Sequence, residues 1–76
     1  MQEITLKVQT INSDTVLSRV IESIKRRRIP IQKLVAAASA ENKDCGTIEI
    51  LILSDIESAR ALRAKISSII DVLEVE

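Results

Sequence analysis

Twice along this chain the spacing of apolar residues changes from period two to helical spacing, and only a fold built on strand-to-helix junctions accommodates both changes. Ile4, Leu6 and Val8 alternate with Glu3, Thr5, Lys7 and Gln9. That is the pattern of a half-buried strand, which Ile11 ends. Beyond it, Leu17, Val20, Ile21 and Ile24 fall on one side of a helix, with Ser18, Arg19, Glu22, Ser23 and Lys25 on the other. The second change follows Thr47 to Leu53, where Ile48, Ile50 and Ile52 share a face while Glu49, Leu51 and Leu53 make the other only partly polar. Ala59, Leu62, Ile66 and Ile69 then form the apolar stripe of a second helix.

The junctions carry their own signals. Asn12, Ser13, Asp14 and Thr15 separate the first strand from its helix, and all four can accept backbone N–H groups or favour turns. At the second junction, Ser54 with Glu57 three residues later matches a capping box. The first helix ends in Lys25, Arg26, Arg27 and Arg28, where positive charge complements the helix dipole, and Ile29-Pro30 closes it.

The remaining segments complete the order. Ile31 to Ala40 reads as a strand, with a bulge where Leu34 and Val35 break the alternation, although its four alanines leave a helix open. Glu41 to Gly46 is a turn, holding the single glycine, and Val72, Leu73 and Val75 form a short last strand. The expected class is α+β with the order βαββαβ, a ferredoxin-like arrangement. Two single-striped helices would cover one face of a four-stranded antiparallel sheet. The other face would show Thr5, Lys7 and Gln9 beside Leu51 and Leu53.

With 76 residues the chain has room for one domain. It contains no Phe, Tyr or Trp, so its core must come from Ile, Leu, Val and Ala. Aromatic side chains usually dominate cores; without them, pairing with another copy or a larger partner is an attractive source of burial. Eleven basic and eleven acidic residues cancel, so net charge draws the chain to neither nucleic acid nor membrane. The opening MQEITLKV alternates and is not expected to act as a leader, and an apolar run such as Ile50 to Leu53 is far too short to span a bilayer. Cys45 stands alone, so no internal disulfide is available. The expectation is a soluble cytoplasmic protein.

Catalytic signatures are missing. There is no histidine, no paired cysteine, and one glycine cannot build a phosphate loop. The carboxylates are scattered over expected surfaces. No catalytic residue and no metal ligand is assigned, and no cofactor is expected in this chain.

Three features admit a functional and a structural reading. The basic run Lys25 to Arg28 could meet phosphate or nucleic acid, but its place at a helix end and the absence of aromatic residues for base stacking favour a solvated last turn. Cys45 could sense redox state, but reads better as an ordinary turn residue. The stretch INSDTVLSRV, Ile11 to Val20, is either a capped strand-to-helix turn or an effector pocket in which free helix N–H groups receive a carboxylate.

The element order, the NSDTVLSRV junction, RRRIPIQKL and the ending IIDVLEVE together resemble the ACT domain of acetohydroxyacid (acetolactate) synthase small subunits. The likeness runs from Ile4 to Glu76, so that residues 1–76 make a single ACT domain. VAAASAEN, Val35 to Asn42, is most like the short isozyme II type. The resemblance implies a non-catalytic subunit of branched-chain amino-acid biosynthesis that activates a catalytic large subunit by contact. Thiamine diphosphate, magnesium and FAD are implied in that partner alone. It further implies a homodimer joined through the sheet edge, for which Ile31 to Ala40 is the candidate strand. A branched-chain amino acid, valine in particular, would bind near the first junction, making Asn12, Ser13, Asp14, Thr15, Val16 and Leu17 the candidate effector-binding or dimer-junction residues.

Valine-binding relatives usually carry N-x-x-G there. Asn12 matches, but Thr15 stands at the glycine position, where a β-branched side chain disfavours positive φ and close backbone approach. A second domain like that of longer small subunits is also not expected. Both departures weaken the expectation of feedback inhibition and agree with the isozyme II type. The rival reading is a free-standing ACT-type amino-acid sensor acting on another enzyme; a weaker one is an RNA-binding module of like topology.

Overall fold

The computed structural model describes residues 1–11, 13–41 and 44–76, with Ser13 described by its backbone only. Its order is β1 (Gln2–Ile11), α1 (Ser13–Arg26), β2 (Ile31–Ala38), β3 (Cys45–Ser54), α2 (Ile56–Ser67) and β4 (Val72–Val75). The strands form one four-stranded sheet in the order β2-β3-β1-β4. Every neighbouring pair is antiparallel. The βαββαβ expectation holds.

Period two decides what the sheet buries. Leu6 and Val8 of β1 and Ile48, Ile50 and Ile52 of β3 have no exposed surface. They join Val16, Val20 and Ile24 of α1 and Ala59, Leu62 and Ile66 of α2 in a single core. Both helices therefore lie on one face. The opposite face carries Thr5, Lys7, Gln9 and Glu49, all exposed, with Leu51 and Leu53 half-buried between them. Lys7 and Glu49 meet across that face at 3.9 Å, an exposed pair of the kind that contributes at most about 1 kcal/mol.

Several boundaries differ from expectation. The polar cluster puts Ser13, Asp14 and Thr15 in a link between strand and helix; α1 instead starts at Ser13. A helix needs its first turn filled by residues that tolerate open N–H groups, and Asp14 there suits the positive end of the dipole. The segment Ile31 to Ala40 is a strand and not a helix, and it ends at Ala38. Its irregularity lies between Ile31 and Lys33, not at Leu34-Val35. An extra residue at Gln32 resets the alternation, so that Leu34 turns toward the core and Val35 outward.

Cys45 and Gly46 lie not in the expected turn but in β3, paired with Ile11 and Thr10, and Gly46 has no positive φ. The capping box at α2 is displaced by one residue. Ser54 is the last residue of β3 and is buried, while Asp55 caps the helix through its Oδ1, which accepts from Ser58 N–H at 2.6 Å. Ser58 Oγ donates to the other oxygen at 3.1 Å. These bonds, backbone first, hold the Asp55 carboxyl below the ordinary aspartate pKa.

The far end of α1 closes in a Schellman motif. Ile29 N–H reaches Ile24 O at 3.4 Å and Arg28 N–H reaches Lys25 O at 3.0 Å. Arg28 sits at φ 56°, a left-handed position that glycine fills without a Cβ clash. Ile29 packs against the core, so that apolar contact stabilises the closure.

Candidate functional site

The first junction is assembled from the end of β1, the first turn of α1 and the start of β3. Ile11 pairs with Cys45 and donates its N–H to Asp71 O at 2.9 Å. Asp71 holds φ 75° at the tight turn before β4, so the chain end is tied back to the same corner. Thr10, just before, is only 1% exposed, and its Oγ1 has no hydrogen bond among the described residues.

The six candidate residues divide. Asn12 lies outside the described residues, and Ser13 is placed as the first residue of α1. Asp14 and Thr15 are exposed in the first turn. Val16 is fully buried in the core, and Leu17 is half-buried against it. Val16 thus packs the helix onto the sheet and faces no effector in this chain. Asp14 also places a negative charge where a ligand carboxylate would need a positive potential, which opposes such binding. Thr15 adopts helical backbone, so the geometry that a glycine would permit there is not used.

Sequence reasoning missed the strand side of this corner. A shallow cleft of about 220 Å³ is lined by Gln9, Thr10, Ser39, Cys45, Gly46, Thr47 and Leu73. Thr10 is legible as the next inward position after Ile4, Leu6 and Val8. Cys45 is not, because nothing local separates the last turn residue from the first strand residue. A second cleft of about 250 Å³ lies on the uncovered face, lined by Thr5, Lys33, Val35, Glu49, Ile50 and Leu51. It reaches the edge strand β2, where Val35 is 47% exposed. Among the described residues no group of three or more His, Cys, Asp or Glu side chains could hold a metal ion. No described helix is long and apolar enough to cross a membrane.

No protein-family model matches the sequence, and no curated protein matches it significantly. Solved structures do. The ACT domain of GTP pyrophosphokinase from Chlorobium tepidum superposes with a TM-score of 0.81 at 13% identity, covering 97% of this chain and 94% of that one. The acetolactate synthase small subunit of Thermotoga maritima gives a TM-score of 0.83 at 17% identity over 100% of this chain; the match spans 47% of that subunit, about half its length. The C-terminal domain of the MgtC protein from Mycobacterium tuberculosis gives 0.77 at 15% identity, covering 100% of this chain and 84% of that domain. At these identities the likeness is one of fold: the chain has the ferredoxin-like βαββαβ architecture of ACT domains.

Proposed function

We propose that this chain is a non-catalytic regulatory and activating small subunit of acetohydroxyacid (acetolactate) synthase, working by contact with the catalytic large subunit. The observation that carries the reading is the open edge of β2. It runs from Ile31 to Ala38 with exposed alanines, and among the described residues no strand lies beyond it. Such an edge, beside a partly apolar uncovered face, favours association. A second copy pairs along β2, and the resulting sheet presents its outer face to the large subunit. The superposition of this whole chain on 47% of the Thermotoga maritima acetolactate synthase small subunit supports the same reading.

The test is reconstitution with an acetolactate synthase catalytic large subunit from the same organism. Acetolactate formation rises on mixing and the two co-elute on gel filtration. No gain in activity together with no complex removes the proposal.

Within it, the junction shapes a subunit contact more than it holds valine, because Val16 is core and Thr15 is helical. Calorimetry with valine is expected to show no stoichiometric heat. If instead an amino acid binds tightly and acetolactate synthesis does not respond, the chain is a free-standing sensor of the ACT type.

A further inference from the structure

The groove between the helices contains a feature that the regulatory reading does not use. Lys25, Arg26, Arg27 and Arg28 are all exposed at the end of α1, and Lys65 is exposed in the last turn of α2. Arg26, Arg27, Lys65 and Ser23 line one cleft of about 160 Å³. Acids are not scarce in this chain, which has as many as it has bases. Yet among the described residues only Arg26 of these five cations has an acidic partner, Glu22 at 2.7 Å. Each cation has a local reason in the dipole of its own helix. The dipoles do not explain why cations from two helices meet at one cleft, where like charges raise each other's energy.

Arg28 adds a second observation. It occupies the left-handed position of the Schellman motif, where glycine costs less, so the fourth consecutive cation stands where the backbone prefers glycine. Arginine forks match phosphate oxygens in pairs. The cleft is small, the chain has no net charge, and it has no aromatic residue for base stacking. These points favour a compact anion over a nucleic acid.

We propose that the cleft formed by Arg26, Arg27 and Lys65 binds a small oligophosphate anion, with Arg28 strengthening the local potential. Inorganic triphosphate is the probe, titrated into the full chain at low salt and followed by two-dimensional amide NMR. Saturable shifts are expected at Ser23 to Ile29 and around Lys65, and not at Asp14 to Leu17. Lys65→Gln and Arg27→Gln each weaken binding about tenfold, the loss of one charge-assisted contact. Both side chains are exposed, and unchanged thermal midpoints check that the variants fold.

Shifts confined to Lys25 to Arg28 and unmoved by Lys65→Gln would reduce the feature to an ordinary helix end and overturn the proposal. Tighter binding of a short polyuridine strand than of triphosphate would overturn it in favour of RNA. Neither readout involves acetolactate synthesis, so this proposal and the regulatory one fail separately.

Discussion

The two edges of the sheet are built in opposite ways. β2 presents a strand of 8 residues, and after the irregularity at its start it pairs with β3 in unbroken register to Ala38. β4 has only 4 residues, and its register against β1 shifts between Gln9 and Thr10, leaving Leu73 as the extra residue. Glu74 and Glu76 add negative charge along that short edge. Short length, a bulge and charge are the devices by which proteins discourage edge-to-edge pairing. β4 uses all three. β2 has Lys33 and the extra residue at Gln32 near its start, and neither charge nor bulge from Leu34 to its three closing alanines. The difference shows which edge is guarded and which is left available.

The strongest way to break this contrast is a proline on the open edge. Ser39 N–H bonds to Cys45 O at 2.8 Å, so by antiparallel alternation Ala37 and Val35 also face β3 while Ala36 points its N–H away. Ala36→Pro therefore spares the internal ladder and blocks an incoming strand. It should weaken self-association by at least about a hundredfold, roughly 3 kcal/mol, in sedimentation. A dimer that survives unchanged would place the contact elsewhere.

The turn that feeds β2 offers a smaller effect of opposite sign. Arg28→Gly relieves the left-handed backbone at φ 56° and should stabilise the chain by about 1 kcal/mol in urea unfolding. It should also weaken triphosphate binding, a combination that a purely structural arginine would not produce.

On the guarded side, α2 leads to β4 and is held at its start by Asp55. The pKa of this carboxyl is lowered by its bonds to Ser58, so its contribution is fully present above the ordinary aspartate value of 3.8. It is lost as the pH falls through the lowered folded value. Asp55→Ala should lower the thermal midpoint at pH 7, with the gap to the parent closing in strong acid. The smallest effect is expected at β4 itself. Leu73 is 63% exposed, and Leu73→Lys should change stability by less than about 0.5 kcal/mol and leave self-association intact.

Much of the fold is legible in the residues alone. Ile4, Leu6, Val8, Ile48, Ile50 and Ile52 declare their strands by alternation, and Val20, Ile24, Leu62 and Ile66 their helices by spacing. What local pattern does not supply are ends and offsets. Asp55 and Ser54 are both good caps, and only the path of β3 decides that Ser54 still belongs to the sheet. Val16 reads as part of a polar junction, yet it packs in the core because α1 begins earlier than the polar cluster suggests. The site is less legible than the fold for the same reason: Thr10, Cys45 and Leu73 meet at one corner only after the strands have paired.

Side-chain period therefore determined most of what this protein buries, Val16 and Ser54 apart, since alternate strand positions and every third or fourth helix position must share a face whatever surrounds them. The tertiary structure decided which strand ends up at an edge, where bulges fall, and which cations face one another across the helices. Those outcomes depend on pairings between segments far apart in the chain, and no local run of residues encodes them.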